Sequence, residues 1–412
     1  MTPSNTIAGI ELGTSKVCVL VAKTDEREGL KIIGIGQSKS HGLRKAEISD
    51  PTLAANDLEI ALDKAEEMSG VDISRAYLGV SGRHVKGVTN RGLHPIKSRD
   101  KGVTSKDMEI VVKNARSFEL DESYNRLHDI QQNYQVDDME NIKNPIGIKG
   151  HNLMVEMHVI QGAHNRIENS IGVVRQNNVD VQEVAFNGLA SSLACLGKRE
   201  KEHGALVIDI GGGTTDYLLY AGGRVRHTGV ISVGGDHVSN DIAVGMEVSV
   251  GAAEDLKLHH GSAIILPDVA QRRVSLSSGI EKLTREFSLK SIQLIMNQRL
   301  TEIFELIKSD LEQKNLIHHC QAGVVLCGGT ARTPHIEFLA ERIFNARCSR
   351  GSAKSMPSIH EKIDTPEFLT CLGLLKFGSF HLRKDKRPLA GLSIAPFSMA
   401  IPALFKKEVA KN

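Results

Sequence analysis

Two segments of the chain place an acidic side chain just before a glycine-rich turn. Glu11 lies two residues before the first turn, and Asp209 lies two residues before the second. Glycine lets backbone N–H groups approach phosphate oxygens closely, and hydroxyl side chains add further donors. The candidate phosphate ligands are Gly13, Thr14 and Ser15 in the first turn and Gly211, Gly212, Gly213, Thr214 and Thr215 in the second. A carboxylate beside such a turn suits a hydrated Mg²⁺ that bridges to phosphate, so these residues predict a nucleotide site.

Both turns are flanked by residues that favour β-strands. Mostly apolar runs precede the two acids at 7–10 and 205–208, and aliphatic, β-branched or aromatic runs follow the turns at 17–22 and 217–221. In a Walker A loop or a dinucleotide fingerprint the turn leads into a helix, so both of those sites are excluded. One such turn alone is most simply a structural β-hairpin, whereas the matched pair favours phosphate binding.

A third glycine signal follows the apolar run 322–327 at Gly328, Gly329 and Thr330. The segment 334–344 comes next and is predicted to be a helix, because its apolar residues share one face. Those apolar residues are Ile336, Leu339, Ala340 and Ile343. Alone, this pattern indicates a tight strand–helix turn; beside the two hairpins, it suits a loop that passes close to a nucleotide's α-phosphate and sugar.

Composition excludes several classes of protein. The chain has 412 residues, 24% of them charged, and a formal net charge of +2, which argues against a nucleic-acid partner. Its six cysteines are scattered without a C-x-x-C pair, as expected for small buried apolar residues in a reducing compartment. The first residues show neither the basic nor the apolar region of a secretory signal, so a cytoplasmic location is expected.

Six short motifs share their order and spacing with one protein family. They are Glu11–Val17, Tyr77–Gly82, Phe186–Ser192, Asp209–Asp216, Ala253–Lys257 and Cys371–Leu375. On these residues the chain resembles the bacterial cell-division FtsA family of the actin/Hsp70/sugar-kinase superfamily, from about Ile7 to Gly378. The resemblance implies an α/β chain with a duplicated actin-like (ribonuclease H-like) ATPase fold and an FtsA-type inserted 1C subdomain.

The resemblance also implies four subdomains and a tail. Subdomain 1A comprises 1–82 with 165–203 and 363–380, and subdomain 1C, an SHS2-like insert, comprises 83–164. Subdomain 2A comprises 204–230 with 318–362, and subdomain 2B comprises 231–317. The tail, 381–412, contains a basic linker and a C-terminal amphipathic membrane-targeting segment.

By the same resemblance, the nucleotide is ATP with Mg²⁺, in a cleft between two halves of the fold. Glu11 and Asp209 fall on the Mg²⁺ side of this cleft, and the longer Glu11 is expected to act through water. Glu254 and Lys257 fall on a helix that reaches the ribose and base, although their spacing also fits a surface ion pair. Asn187 takes the place of the usual water-orienting Glu or Gln, so slow or absent ATP hydrolysis is expected.

The inserted segment carries a helix signal of its own. Thr104–Asp107 fits a capping box, and an apolar stripe follows at helical spacing. Residues 124–144 predict a loop and a strand, and 153–159 predicts a strand. The resemblance implies that this subdomain contacts neighbouring subunits or later division proteins.

Residues 277–316 predict two long helices, Glu281–Asn297 and Leu300–Lys314. The resemblance implies that they belong to the region where the C-terminal peptide of the tubulin-like protein FtsZ docks. The candidate peptide-binding cations are Lys282, Arg285, Lys290 and Arg299. Each of them also fits an ordinary solvated helix face.

The end of the chain differs in charge from the rest. From His381 onward it has seven Lys or Arg against two acids, around the 18 consecutive uncharged residues Pro388–Phe405. The stripe proposed to enter the membrane interface is Phe397, Ile401, Leu404 and Phe405, followed by Lys406 and Lys407. This pattern predicts a short interfacial helix whose cations meet anionic lipid. Pro402 disfavours a helix there, and a sticky tail without a helix is the alternative.

Taken together, the resemblance implies an ATP-binding protein that polymerises on the inner face of the cytoplasmic membrane. It would tether FtsZ filaments to that membrane at the division septum. An actin-like pilus-assembly ATPase and a small-molecule kinase of the same fold remain alternatives. A kinase needs a general-base Asp and a substrate pocket, for which the residues near the first hairpin offer only Glu11.

Overall fold

The computed structural model describes residues 5–25, 29–97, 100–117, 121–277, 284–354, 356 and 363–384. These residues form two compact units, one built from the chain up to Gly87 and from Gly162 onward, and the other from Val88–Gln161. Among them, no helix combines the length and the apolar character that crossing a membrane requires. The predicted interfacial stripe Phe397–Lys407 and the candidate cation Lys282 lie outside the described residues.

Strands in the described part of the chain number eighteen. They are β1 (Thr6–Leu12), β2 (Lys16–Asp25), β3 (Gly29–Lys39), β4 (Leu43–Arg44), β5 (Glu47–Ile48), β6 (Arg75–Val80), β7 (Lys86–Pro95), β8 (Tyr124–Val136), β9 (Met139–Ile142), β10 (Asn152–Ala163), β11 (Asp180–Phe186), β12 (Ala205–Ile210), β13 (Thr215–Ala221), β14 (Arg224–Ile231), β15 (Arg273–Ser277), β16 (Thr284–Ser288), β17 (Gly323–Cys327) and β18 (Cys348–Arg350).

The same residues contain ten α-helices. They are α1 (Pro51–Ser69), α2 (Ser105–Arg116), α3 (His164–Gln176), α4 (Asn187–Cys195), α5 (Lys198–His203), α6 (Gly235–Met246), α7 (Val250–His260), α8 (Leu289–Gln313), α9 (Ile336–Phe344) and α10 (Leu369–Lys384).

Two five-stranded sheets in the first unit have the same topology. Their strand orders are β3-β2-β1-β6-β11 and β14-β13-β12-β17-β18. In each sheet the first three strands form an antiparallel meander, and the remaining two run parallel to the strand that precedes the glycine turn. Because two sheets of one chain repeat this order, the predicted duplication of the fold is confirmed.

Close helix packing brings the two halves of the first unit together. A Cβ added at Gly373 of α10 would lie 1.8 Å from the carbonyl oxygen of Ala190 in α4. One added at Gly9 of β1 would lie 3.0 Å from the Leu374 Cβ. Glycine therefore allows α10 to pack directly on α4 and on the first sheet, and both helices reach the glycine turns.

The second unit is a four-stranded sheet, β7-β10-β8-β9, with α2 packed on it. The predicted capping box is present, since Thr104 and Asp107 bond reciprocally at the start of α2. Val111 and Ala115 are buried, and Met108 and Val112 pack against the same core. The expected strand at 153–159 is confirmed within β10. Residues 124–144, predicted to be a loop and a strand, instead contain two paired strands, β8 and β9, because alternate residues of β8 such as Gln132, Tyr134 and Val136 are buried.

The prediction of two helices at 281–314 is wrong in two respects. Thr284–Ser288 forms strand β16, which pairs antiparallel with β15, so the helical region begins only at Leu289. Ser288 ends the strand and caps the helix by accepting the Ser291 N–H. The predicted break near residue 298 is absent because the buried apolar stripe continues from Ile292 to Leu311 without interruption.

Candidate functional site

A cavity of about 610 Å³ lies in the first unit where the two glycine hairpins face each other. It gathers most of the residues that the sequence singled out. These are Glu11, Gly13, Thr14, Ser15, Asn187, Asp209, Gly211, Gly212, Thr214, Glu254, Lys257, Gly328, Gly329 and Thr330. Two candidates lie behind the wall instead: Thr215 is buried and donates to the Val233 carbonyl at 2.8 Å, and Gly213 packs against Thr14.

The two hairpins share one backbone geometry. The Gly13 N–H donates to the Lys16 carbonyl at 3.0 Å, and the Gly211 N–H donates to the Thr214 carbonyl at 2.9 Å. A Cβ at Gly13 would lie 2.7 Å from that Lys16 oxygen, so the first turn has no room for a side chain. The strand–turn–strand arrangement predicted at both places is therefore confirmed.

The tips of the two hairpins touch. A Cβ added at Gly212 would lie 2.0 Å from the Ser15 Oγ. Ser15 also donates to the Asp236 Oδ1 at 3.2 Å, at the start of α6. Glycine at 212 thus leaves a gap between the tips that any larger residue would fill, and this gap is part of the cavity.

Asp209 is held by two hydroxyl groups from distant parts of the chain. Its Oδ2 accepts from the Thr370 Oγ1 at 2.8 Å and from the Ser191 hydroxyl. Burial raises the pKa of Asp209, and the two hydroxyl donors oppose that rise because they favour the charged form. The carboxylate therefore has a single defined orientation at the end of β12.

Glu11 lies at the same point of the first hairpin but has fewer partners. Its Oε2 is buried and has no hydrogen-bond partner among the described residues. Burial raises the pKa of Glu11 to about 8, although the Lys16 charge works in the opposite direction. An orphaned buried oxygen in a polar cavity suits a water molecule or a hydrated cation.

Asn187 is the first residue of α4, as predicted, and it lines the cavity. Its side chain is 7% exposed, and its Oδ1 has no hydrogen-bond partner within the described ranges. A neutral amide can orient a water molecule by a hydrogen bond but cannot take its proton. Asn187 itself therefore cannot serve as a general base.

Asp216 is a third buried carboxylate in the wall, which the candidates chosen from the sequence did not include. It lies on β13 directly opposite Asp209, and it accepts a hydrogen bond of 2.5 Å from the Ser81 Oγ. Burial raises the pKa of Asp216 well above its usual range, and the nearby Asp209 charge adds to this effect. The motif Asp209–Asp216 contained this residue, but only the strand register showed that both acids point to one place.

The helix α7 closes another side of the cavity. Lys257 Nζ contacts the Glu254 Oε2 at 2.6 Å, the Ser239 Oγ at 2.8 Å and the Gly235 carbonyl at 3.2 Å. The Lys257 side chain is only 13% exposed. The ion pair foreseen as a surface alternative therefore exists, but it lies in the cavity wall and is tied to α6.

The third glycine turn packs against the second hairpin. Gly328 has a φ of +83°, and a Cβ there would lie 2.4 Å from the Ile210 carbonyl oxygen. The Thr330 Oγ1 donates to the Gly211 carbonyl at 3.1 Å. A short 3₁₀ turn, Gly329–Arg332, separates this strand end from α9, where all four predicted apolar residues are buried.

The candidate peptide-binding cations have different surroundings. Arg285 donates to the Glu247 carbonyl at 2.9 Å and to the Met246 carbonyl at 3.3 Å, at the end of α6. Arg299 pairs with Asp241 through contacts of 2.6 and 3.0 Å. These two side chains have structural partners within the first unit, whereas Lys290 is exposed.

Comparison with solved structures places the fold. The chain is similar to the PilM-PilN type IV pilus biogenesis complex (TM-score 0.61, 15% identity), with 90% of this chain and 98% of that chain covered. It is also similar to MreB5 of Spiroplasma citri bound to ADP (TM-score 0.55, 16% identity), with 94% and 100% covered. These likenesses show an actin-like fold.

Sequence comparison identifies the family. One family model, described as cell division protein FtsA, matches residues 206–373, and another, described as an SHS2 domain inserted in FtsA, matches residues 82–161. Cell division protein FtsA of Borreliella burgdorferi is 35% identical, covering 90% of this chain and 91% of its own length. That of Pseudomonas aeruginosa is 32% identical, covering 90% and 89%. With an actin-like fold, an SHS2 insert and relatives of this similarity over most of its length, the chain belongs to the cell division protein FtsA family.

Proposed function

We propose that the cavity between the glycine hairpins binds Mg·ATP and that the nucleotide controls assembly of the chain into filaments. The observation that carries this proposal is the pair of facing hairpin tips beside two buried oxygens, on Glu11 and Asn187, that have no hydrogen-bond partner among the described residues. The solved MreB5 structure of the same fold holds ADP, which supports a nucleotide in this type of cavity.

The residues present fit a hydrated Mg²⁺. Glu11 and Asp209 would hold it through water, and bound there it would neutralise the negative charge of the phosphates. The turns Gly13–Ser15 and Gly211–Thr214 supply N–H and hydroxyl donors to the phosphate oxygens. Glu254 and Lys257 face the nucleoside end of the cavity, and the Gly328–Thr330 turn lets the backbone approach the sugar and the α-phosphate.

Turnover of ATP is proposed to be slow or absent. Asn187 can orient a water molecule but cannot act as a base, and Asp216 is engaged by Ser81. Nucleotide binding, rather than the energy of ATP hydrolysis, would then switch the chain between its assembled and free states.

We assign binding of the FtsZ peptide and binding of the membrane to two different parts of the chain. The helical region around α8 would receive the C-terminal peptide of FtsZ, and the segment from Pro388 onward would hold the chain on anionic lipid at the cytoplasmic side of the inner membrane. There the chain would tether FtsZ filaments at the septum and recruit later division proteins. Membership in a family of cell division proteins supports this assignment.

The proposed subdomains follow the two repeated sheets and the insert. Subdomains 1A and 2A would contain the sheets ending in the first and second hairpins, and 2B would contain α6 to α8. The compact unit Val88–Gln161 would form most of subdomain 1C.

The test is co-sedimentation of the full chain with anionic liposomes and a synthetic FtsZ C-terminal peptide, with and without Mg·ATP. We expect retention of the chain and peptide on liposomes, and a change in assembly when Mg·ATP is added. A chain that lacks residues 395–412 should lose liposome binding but keep peptide binding. Liposome binding unchanged by that deletion would exclude the tail as anchor, and absence of peptide binding would favour the pilus-type or kinase alternative.

A matched pair of glycine variants tests the nucleotide site in the same assay. Gly212→Val fills the gap between the hairpin tips and should abolish the response to Mg·ATP, whereas Gly172→Val, where an added Cβ meets nothing within 4 Å, should not. Both variants should melt cooperatively. An unchanged response in folded Gly212→Val would mean that the nucleotide binds elsewhere.

A further inference from the structure

A two-residue turn with unusual backbone geometry lies beside the cavity. Lys45 and Ala46 connect β4 to β5, and their φ angles are +52° and +58°. Glycine or asparagine normally occupies such a turn, because other side chains are strained in the left-handed region. Two consecutive strained residues persist only where surrounding contacts hold them, and such strain concentrates at ligand clamps.

The contacts that hold this turn come from both phosphate hairpins. The Ala46 N–H donates to the Thr14 Oγ1 at 2.8 Å, at the tip of the first hairpin. A Cβ added at Gly213 would lie 2.9 Å from the Lys45 Cα, at the tip of the second hairpin. Ala46 also lines the cavity. The turn therefore forms a third wall against the place where the two tips meet.

The base of this β-hairpin is anchored firmly. Glu47 pairs with Arg166 of α3 at 3.1 Å, and the Gly42 N–H donates to the Asp57 Oδ2 at 3.2 Å. The Ser49 N–H closes the loop on the Gly42 carbonyl at 2.9 Å. With both ends fixed, the position of the turn is set by the body of the fold and not by a free loop.

Lys45 does not itself line the cavity, but its neighbour Ala46 does, next to Thr14 at the tip of the first hairpin. Along the second hairpin, Gly211 is bonded to Thr330, beside α7, Gly212 faces Ser15, and Gly213 touches Lys45. A nucleotide whose sugar lies near α7 would extend its phosphates along the hairpin tips towards the turn that carries Ala46 and Lys45. Its side chain is exposed, and its ammonium group has no hydrogen-bond or ion-pair partner in the described part of the chain.

We propose that Lys45 binds the terminal phosphate of a nucleoside triphosphate and thereby distinguishes ATP from ADP. The inference rests on the proposed function, since it requires a nucleotide between the hairpins. The lysine ammonium is a compact charge on a flexible four-carbon stem, which suits a single phosphate group. The diphosphate lacks the group that Lys45 contacts, so the two nucleotides differ at this residue. The Ala46 N–H, bonded to Thr14, couples the turn to the first hairpin.

The test measures the affinities of the full chain for Mg·ATP and Mg·ADP by titration calorimetry. Lys45→Met keeps the side-chain length without its charge and should weaken Mg·ATP binding about tenfold while changing Mg·ADP binding less than twofold. The matched control Arg44→Met removes the adjacent exposed cation and should leave both affinities within twofold. Lys45→Arg should restore at least half of the lost ATP preference.

Equal weakening of both nucleotides in Lys45→Met, or no change in either, would overturn the assignment. A chain without substitutions that binds neither nucleotide would overturn the proposed function itself, which is a separate result. Ala46→Gly keeps the N–H bonded to Thr14 and relieves the strained backbone. It should raise the melting temperature and leave the ratio of ATP to ADP affinity unchanged; a collapse of that ratio would show that the strain, rather than Lys45, provides the discrimination.

Discussion

The two glycine hairpins have the same backbone but different carboxylate environments. Asp209 has two hydroxyl donors and faces Asp216 across the strand pair. Glu11 faces Cys18 at the equivalent position, and its Oε2 has no hydrogen-bond partner in the part of the chain that the structure describes. Duplication of a fold therefore preserved the turn without preserving the electrostatics. Hydroxyl donors fix the orientation of the second acid, whereas one oxygen of the first has no partner among the described residues.

The cause of this difference lies outside the hairpins. Ser191 on α4 and Thr370 on α10 both reach the second hairpin. The nearest cation of the first hairpin, Lys16, instead donates to the Glu367 carbonyl at 2.8 Å and lies 4.6 Å over the Phe368 ring. Within the described ranges Glu11 consequently has no ion pair, and burial is the main influence on its pKa.

Neutralising each acid in turn gives the strongest test of the difference between the two hairpins. Asp209→Asn should weaken Mg·ATP binding about 100-fold, because it removes an oriented charge, and Glu11→Gln should weaken it about tenfold. The loss at Glu11 is smaller because no hydrogen bond among the described residues orients its Oε2, whereas two hydroxyl groups orient Asp209. Titration calorimetry at pH 7 measures both, with exposed Asp63→Asn on α1 as the control. Equal losses would remove the distinction between the hairpins.

The stability of the chain should depend on pH through Glu11, because burial raises the pKa of Glu11 from 4.5 to about 8. Between these values the folded chain keeps a proton that the unfolded chain has released, so stability falls as pH rises. From pH 6 to pH 7.5 this contribution should reduce the free energy of unfolding by about 2 kcal/mol in the absence of nucleotide. Glu11→Gln should lack that part of the slope.

Urea denaturation of the chain without substitutions and of Glu11→Gln, each at pH 6 and at pH 7.5, isolates the Glu11 contribution. The other buried carboxylates are the same in both proteins. Identical pH slopes would mean that Glu11 is already ionised in the folded chain. The hairpins would then be electrostatically alike.

The smallest expected effect is the difference in folding stability when the equivalent glycines of the two turns are replaced by alanine. A Cβ at Gly13 would lie 2.7 Å from the Lys16 carbonyl oxygen, whereas one at Gly211 would lie 3.2 Å from the Thr214 carbonyl oxygen. Gly13→Ala should therefore cost about 1.5 kcal/mol of folding stability, and Gly211→Ala less than about 0.5 kcal/mol. Thermal denaturation of the two variants ranks them. The reverse order would show that the first turn opens more easily than the second.

Local sequence patterns were sufficient to predict the two hairpins, the glycine turn before α9 and the capped helix α2. In each case a few neighbouring residues specify the backbone, as Thr104 and Asp107 do at the start of α2. The same reasoning failed at 281–314, where Thr284–Ser288 became a strand. Antiparallel pairing with β15, the preceding strand in the chain, overrode the helical pattern there.

The order of the amino acids alone specifies two glycine turns with an acid before each, an apolar framework around them and the family to which the chain belongs. Only the tertiary structure decided how each acid is used. It brought Ser191 and Thr370 to Asp209, set Asp216 beside it, and left the Glu11 Oε2 without a partner among the residues that the structure describes. It also placed Lys45 against Gly213, 168 positions away in the chain. Burial and hydrogen bonding depend on residues that are close in space and distant in sequence, so no local pattern contains them.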